Sequence, residues 1–283
     1  MKKACLSVLF ASVLFLSSTS VYAASSPSIK VDGTAVVTDV KPEIKNNRMM
    51  VPLRTVSENL GAQVVWSGSE VTLIKDDMKV TLQAGSSSAV QNGKTVKLDA
   101  KPYVKNNRFF VPLRFIAETF GCEVGYSGSA VTIDSEPFLI GGVPVKALQQ
   151  EYHMTMGGIV QQIGGTAYNE AIYNLIVNNK GDKTDAPASY SWMFNIDVPG
   201  SYYKNAQYDF LDEKGDSIKQ YDIYSLVEAF PAEELEGYPK VLLYDASEQQ
   251  WYLFSTAARD SINSIIEKAA LNGFLKIISN TVV

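Results

Sequence analysis

Few residues in this sequence carry the side chains that most enzymes use for catalysis or for binding metals. The 283 residues include one histidine, His153, and two cysteines. The sequence contains no His-Glu-x-x-His motif, no Gly-x-Ser-x-Gly motif and no glycine-rich phosphate loop. We therefore predict no catalytic residue, no metal and no cofactor, and we expect a protein that is not an enzyme.

Two arginine–glutamate pairs are the first candidates for ligand binding. Arg54 precedes Glu58 by four residues, and Arg114 precedes Glu118 by the same interval. Side chains at this spacing meet on the surface of a helix. Each arginine could clamp a sulfate, phosphate or carboxylate, or it could be a structural residue whose charge is balanced by the glutamate. We favour the structural interpretation.

Aromatic residues near the predicted strands are the second group of candidates. Tyr202 and Tyr203 follow the turn Pro199-Gly200, which predicts that they lie on the surface. Trp251 lies in a predicted strand. Such rings could stack on sugars or peptides, or they could fill the core, since strands favour aromatic residues. For Trp251 we favour the core but keep it as a surface candidate.

Residues 1–23 have the features of a secretory signal peptide. Lys2 and Lys3 precede an apolar run over residues 4–17, which is shorter than the roughly 20 residues needed to cross a bilayer. We predict cleavage near Ala23, a secreted or cell-surface protein, and no membrane span after cleavage. Removal of the leader leaves Cys122 as the single cysteine. We favour a buried Cys122 that acts as a small hydrophobic residue over the alternative of an exposed thiol that pairs with a partner.

Residues 31–74 and 91–134 are two copies of one pattern, termed copy one and copy two, at a constant offset of 60 residues. Their 44 aligned pairs include 21 identities. In each copy a short strand leads to a helix, which we expect to begin at Pro52 or Pro112 and to end at Gly61 or Gly121. A strand pair follows. Tight turns are predicted at Asp32-Gly33, Asn46-Asn47 and Ser67-Gly68-Ser69 in copy one, and at Asn92-Gly93, Asn106-Asn107 and Ser127-Gly128-Ser129 in copy two.

Each copy contains the motif Asn-x-Arg-x-x-Val-Pro-Leu-Arg, followed by x-x-x-Glu-x-(Leu/Phe)-Gly and Val-x-(Trp/Tyr). Over residues 28–136, termed the front module, this arrangement resembles the copper amine oxidase N-terminal-like domain, also called the stalk domain. The resemblance implies an antiparallel sheet wrapped around short helices, in an accessory module without amine-oxidase chemistry. Many members have Asp where this chain has Ser67 and Ser127. A copper site of that enzyme needs three histidines, and His153 is the single one here.

The second half of the chain has a different charge balance, which supports a domain boundary. Residues 24–136 contain 13 basic and 12 acidic residues, whereas residues 137–283 contain 10 basic and 18 acidic residues. We interpret residues 137–144 as a linker and residues 145–283 as an acidic α+β domain, termed the C-terminal unit. The whole chain is thus predicted to be α+β. Helices are predicted within 144–178 (two), 226–237 and 257–271, and strands over 190–198, 206–211, 217–224, 239–245, 250–254 and 274–283.

Together these features predict an exported, non-catalytic protein of the cell envelope. The front module would be a spacer or attachment unit, and the C-terminal unit would bind wall polysaccharide or a protein partner. One alternative is an envelope hydrolase with a carboxylate pair in the C-terminal unit, which requires two acids about 5–10 Å apart and a raised pKa on one of them. Another is a self-assembling surface protein. The net charge of −5 argues against nucleic acid as a partner.

Overall fold

The computed structural model describes residues 28–127 and 130–282, so the predicted leader with its cleavage site and the predicted turn at residues 128–129 lie outside the described residues. The fold is α+β, as predicted. The front module contains β1 (Ser28–Val31), β2 (Thr34–Ala35), β3 (Glu43–Lys45), β4 (Arg48–Pro52), α1 (Leu53–Asn59), β5 (Gln63–Ser67), β6 (Glu70–Lys75), β7 (Met78–Gln83), β8 (Ser88–Gln91), β9 (Lys94–Lys97), β10 (Tyr103–Lys105), β11 (Arg108–Pro112), α2 (Leu113–Thr119), β12 (Glu123–Ser127) and β13 (Ala130–Asp134).

The two copies meet at the centre of a four-stranded sheet with the order β10-β11-β4-β3. Here β4 and β11 run antiparallel, and Val51 pairs directly with Val111. Because these residues are 60 positions apart, an approximate two-fold axis passes between them. The helices α1 and α2 follow these strands and bury Leu53 and Leu113 in one hydrophobic core. Pro52 and Pro112 end the strands and cap the helices, rather than occupying the first helical position as predicted.

The outer sheets of the two copies are completed in different ways. In copy one, β5 and β6 continue into a five-stranded sheet with the order β5-β6-β7-β8-β9. In copy two, β13 pairs in parallel with β1, which gives the order β12-β13-β1-β2.

The Asp32 carboxylate, in the turn between β1 and β2, accepts a hydrogen bond of 2.8 Å from the Ser135 amide and another of 2.8 Å from the Thr166 amide. Cys122 is buried, as predicted.

The C-terminal unit is one large sheet with two helices on one face. A short hairpin, β14 (Leu139–Ile140) and β15 (Val143–Pro144), precedes it. The unit then contains β16 (Ala147–Met154), β17 (Gly157–Ile163), α3 (Thr166–Asn178), β18 (Lys183–Thr184), β19 (Tyr190–Ser191), β20 (Tyr202–Leu211), β21 (Ser217–Leu226), a 3-10 turn (Ala232–Glu234), β22 (Val241–Asp245), β23 (Gln250–Phe254), α4 (Thr256–Leu271) and β24 (Leu275–Asn280). The strand order is β18-β23-β22-β21-β20-β16-β17-β24, with β19 added beside β20.

Three predictions for this half are wrong. Residues 144–178 form the β16–β17 hairpin and one helix instead of two helices, so His153 lies on a strand. The predicted linker over residues 137–144 contains the β14–β15 hairpin, and the Phe138 ring beside it packs 5.3 Å from the Tyr173 ring. In the predicted strand over 190–198, only β19 pairs with a neighbour. The predicted helix over 226–237 is limited to the 3-10 turn, because Pro231 breaks the pattern.

The other predicted elements of this half are confirmed within a few residues. The strands β20 to β23 lie where the aromatic and β-branched runs place them. The helix α4 is capped by Ser255, whose Oγ accepts a hydrogen bond of 3.0 Å from the Ala258 amide.

The front module packs directly on the C-terminal unit through copy one. The Tyr168 hydroxyl on α3 donates to Asn59 Oδ1 at 2.6 Å and accepts from Asn272 Nδ2 at 2.8 Å. Lys268 on α4 forms an ion pair of 3.0 Å with Glu58 on α1. One hydrophobic core extends through both units, so the front module and the large sheet are held in a fixed arrangement.

Candidate functional site

Two of the candidate surface residues are buried: the predicted exposure of Tyr202 is wrong, whereas the burial of Trp251 agrees with the interpretation favoured for it. Tyr202 is 2% exposed and its hydroxyl donates to the Pro239 carbonyl at 2.7 Å, while Trp251 is 6% exposed. Trp251 packs between Tyr224 and Tyr244, with ring centroids 4.8 and 5.0 Å away. Burial raises the pKa of Tyr202 to about 12. The turn at Pro199-Gly200 leads Tyr202 inward because β20 begins at this residue and its side chain points into an aromatic cluster.

Tyr203 and the two arginines are accessible to different degrees. Tyr203 is half-buried and its ring lies 4.2 Å from the ring of Phe194. Arg54 and Arg114 are exposed at the start of α1 and α2. Their Nε atoms lie 3.6 Å from Glu58 and 3.8 Å from Glu118, which is longer than a good hydrogen bond. The structure does not bring the five predicted residues together into one site.

The face of the C-terminal sheet opposite the helices carries a continuous set of polar side chains. Strand register places neighbours on this face, for example Gln149 opposite Asp209 and Gln207 opposite Asp222. The set, termed the polar sheet face, consists of Gln149, Glu151, Gln162, Lys204, Gln207, Asp209, Gln220 and Asp222. It spans four adjacent strands, β17, β16, β20 and β21. The other face of these strands carries the apolar residues that pack beneath α3 and α4.

The two aspartates of the polar sheet face are held by neighbouring side chains. Asp222 accepts hydrogen bonds from Lys204 at 2.7 Å and from Gln220 at 3.1 Å. Asp209 accepts from Gln207 at 2.7 Å and from the Ser217 hydroxyl at 3.0 Å. Both carboxylates are buried, at 4% and 7% exposure. These bonds orient the amide groups of the glutamines, so the donors and acceptors that remain are fixed in direction.

Trp192 supplies an aromatic surface at one end of this face. Its ring stacks on the His153 ring with centroids 4.1 Å apart and an interplanar angle of 11°. Lys204 Nζ lies 4.5 Å from the centre of the Trp192 ring. His153 Nε2 is in turn 2.8 Å from Glu151 Oε1. These contacts hold Trp192, which lies outside any long strand, against the polar sheet face.

The arrangement is suited to recognition of a polar ligand. The polar sheet face carries three carboxylates and one lysine, a net charge of −2 with neutral His153. The remaining groups are amides, which both donate and accept hydrogen bonds. Planar amides and carboxylates beside an aromatic ring match a ligand with many hydroxyl groups and an apolar face.

The positions of the carboxylates bear on the alternative of a hydrolase. Asp209 and Asp222 are diagonal neighbours on adjacent strands, which implies a Cα separation of roughly 7–8 Å. A third buried acid, Asp245, lies on the helix side of the sheet. Burial favours a higher pKa for the Asp245 carboxyl, but hydrogen bonds from Lys219 and Lys180 outweigh it and hold the pKa below its ordinary value.

The polar sheet face is not among the predicted sites, although the sequence contains a pattern that indicates it. Glu151 and His153 flank Tyr152, and Gln207 and Asp209 flank Tyr208 in the next strand. This period of two predicts a strand with one polar face. The prediction of two helices within residues 144–178 conflicts with this alternation and hides it.

Neither a metal centre nor a membrane span is found in the described part of the chain. Within residues 28–127 and 130–282, no three His, Cys, Asp or Glu side chains lie close enough together to hold a metal ion. Among the helices of the same residues, none has the length and apolarity needed to cross a bilayer.

The comparisons with known proteins concern the front module. No solved structure matches the chain. The C-terminal unit, which carries the polar sheet face, is not recognised. Residues 30–142 match the family model of the copper amine oxidase N-terminal domain, which confirms the resemblance seen in the two copies and extends it into the β14–β15 hairpin.

Proposed function

We propose that this protein is an exported, non-catalytic component of the cell envelope whose C-terminal unit binds a neutral wall polysaccharide. The observation that carries the proposal is the polar sheet face, where fixed amides and carboxylates lie on the same surface as the half-buried Trp192. The front module serves as the spacer or attachment unit. The predicted leader supports the envelope location, and the family match supports an accessory role for the front module.

The charge of the polar sheet face selects among polysaccharides. A net charge of −2 repels acidic polymers and leaves neutral or amine-bearing sugars as the favoured ligands. Sugar hydroxyls both donate and accept hydrogen bonds, as the glutamine amides do. The apolar face of a pyranose ring can pack against the part of the Trp192 side chain that His153 and Lys204 leave uncovered.

A binding role agrees with the state of the two aspartates better than a catalytic role does. A general acid needs a carboxyl that holds a proton near neutral pH. Asp222 is instead engaged by neighbouring donors, the ammonium group of Lys204 at 2.7 Å and the Gln220 amide at 3.1 Å. Asp209 accepts two hydrogen bonds from neutral donors. The hydrolase stays a second candidate because two buried carboxylates, Asp209 and Asp222, lie on adjacent strands of the same face.

Retention of the mature chain on insoluble neutral polysaccharide and on purified wall material tests the binding. We expect Trp192→Ala to reduce retention about tenfold, since one stacked ring and the position of Lys204 are lost. Tyr126→Ala is the matched control, because Tyr126 is an exposed ring in the front module. Equal retention of both variants and the unaltered chain would contradict the proposal.

The same incubations separate binding from hydrolysis. Release of reducing ends that disappears in both Asp209→Asn and Asp222→Asn would establish the hydrolase and overturn the non-catalytic assignment. We expect no release. Cell fractionation tests the location: recovery in the cytosol alone would contradict export.

A further inference from the structure

The front module has a groove of about 390 Å³ between α1, β5 and the start of β11. Its walls include Arg54, Thr55, Trp66, Arg108, Phe109 and Asp39. The groove therefore joins residues of both copies, since Arg108 and Phe109 belong to copy two. It lies in a different unit from the polar sheet face and shares no residue with it.

Trp66 gives the groove a rigid and accessible aromatic wall. Its ring packs edge-on against the buried Phe109, with centroids 5.7 Å apart and an interplanar angle of 82°. Trp66 is nevertheless 43% exposed. A large ring that is held in place and open to solvent is typical of a binding surface, because a ligand can cover it without ordering it further.

Arg54 provides the positive charge of the groove that is least compensated. Arg108 is neutralised by Asp39, which accepts from its Nε at 3.0 Å and from a second guanidinium nitrogen. Glu58 lies 3.6 Å from Arg54 but is held more closely by Lys268, at 3.0 Å. The side chain of Arg54 is 57% exposed, so its guanidinium can form a bidentate bond with an incoming anion.

The equivalent position in copy two differs in the features that would bind a ligand. Tyr126 stands where copy one has Trp66, and Phe115 stands where it has Thr55. The Arg114 guanidinium lies 5.7 Å from the centre of the Tyr126 ring, so cation and ring contact each other. Arg114 is as exposed as Arg54. The chain thus contains its own matched control.

We infer that this groove binds a carboxylate-bearing sugar, with the sugar ring on Trp66 and the carboxylate on Arg54. The guanidinium supplies two parallel donors for the carboxylate. The indole face covers the C–H groups of the sugar ring. This site would be separate from the proposed polysaccharide site, whose net negative charge disfavours acids.

Titration of the mature chain with a galacturonate trimer, followed by calorimetry and tryptophan fluorescence, tests the inference. Arg54→Ala should weaken binding at least tenfold, whereas Arg114→Ala should change it less than twofold. The fully methyl-esterified trimer, which has the same rings without the charges, should bind at least tenfold more weakly. Added salt should weaken binding of the acid.

Three results would overturn the inference: no binding of the trimer at millimolar concentration, equal effects of Arg54→Ala and Arg114→Ala, or equal binding of acid and ester. Because both arginines are exposed, an unchanged Tm is expected for both variants. Trp192→Ala should leave trimer binding intact, so failure of the polysaccharide proposal is distinguishable from failure of this one.

The source of the carboxylate is tested with two insoluble probes. Uronic-acid polysaccharide carries the acid on the sugar ring, and purified peptidoglycan carries it on ring substituents and peptides. Each is used before and after carbodiimide amidation. Retention that depends on Arg54 and is lost on amidation identifies the material that is bound.

Discussion

Copy one and copy two share strands, helix and core, but they have different tasks in the molecule. Val51 pairs with Val111, and Leu53 and Leu113 occupy matching positions in the core. The helix surfaces differ: the side chain of Glu58 is 25% exposed beside Lys268 of the C-terminal unit, whereas that of Glu118 is 66% exposed. Copy one carries the groove and docks on the large sheet, and copy two is completed by the first strand of the chain. The comparison teaches that a duplicated core can be preserved while the surfaces acquire separate roles.

The largest expected effect tests the equivalence of the two cores. Leu53→Ala and Leu113→Ala should each lower the free energy of unfolding by about 2–5 kcal/mol, because each removes a fully buried side chain and leaves a cavity. Urea denaturation of both variants measures this. A loss confined to one of them would show that the copies are not equivalent in the core.

The turn at Asp32 should contribute more to stability than the equivalent turn at Asn92, because the Asp32 side chain accepts more hydrogen bonds. Asp32→Ala should cost about 2–3 kcal/mol, since its carboxylate accepts from the Ser135 and Thr166 amides. The counterpart Asn92→Ala removes one neutral acceptor, for the Lys79 amide at 2.7 Å, and should cost about 1 kcal/mol. Thermal unfolding in parallel provides the measurement, and a larger loss for Asn92→Ala would contradict this ranking.

Substitution of Gly61 and Gly121, the glycines that follow α1 and α2, tests how copy one packs on the C-terminal unit. Both have positive φ, 85° at Gly61 and 71° at Gly121, so an alanine costs about 1–2 kcal/mol at either position. A Cβ at Gly61 would also lie 3.3 Å from the Ala167 Cβ, whereas a Cβ at Gly121 meets no atom within 4 Å. Gly61→Ala should therefore be more destabilising by about 1 kcal/mol. Equal stabilities would argue against the packing of α1 on α3.

The smallest effect concerns one of the ion pairs that link the copies, between Arg108 and Asp39. The hydrogen bond from Arg108 lowers the pKa of Asp39 below its ordinary value of 3.8. The pair should thus stabilise the fold above about pH 3.8, and its contribution should disappear as the pH falls further. Since both side chains are largely exposed, Asp39→Ala should cost less than about 1 kcal/mol at pH 7.

Denaturation of Asp39→Ala and the unaltered chain at pH 7 and at pH 2 measures this contribution. The difference between the two proteins should be present at pH 7 and absent at pH 2. A difference that grew on acidification would contradict the assignment.

The fold of the front module could be predicted from its sequence because local signals and the repeat agree. The Asn-Asn turns and the capping glycines at 61 and 121 occur where the structure has positive φ. The parallel pairing of β1 with β13 could not be predicted, since β1 occupies the sequence position equivalent to β8, which pairs antiparallel with its neighbours β7 and β9. After β13 the chain forms the β14–β15 hairpin, where copy one continues from β6 into β7. The edge of β13 is therefore left for β1 to pair with.

The candidate site was harder to predict because partners decide the exposure of aromatic side chains. Tyr202 and Tyr203 are adjacent in one strand, and one is buried by Pro239 and its aromatic neighbours while the other contacts Phe194. Arg54 and Arg114 have the same local sequence pattern. Their surroundings differ because Lys268 holds Glu58, the partner of Arg54, whereas the Tyr126 ring contacts Arg114. Both contacts depend on tertiary structure.

The position of β1 has a consequence for the order in which the chain can fold. Asp32 accepts hydrogen bonds from residues 103 and 134 positions later in the chain. The turn that contains Asp32 therefore cannot complete these bonds until both residues have been synthesised. Such distant closure is slow compared with formation of local hairpins. A nascent chain would therefore hold β1 without its partner until translation has passed β13, and Asp32 without its second hydrogen bond until translation has passed residue 166.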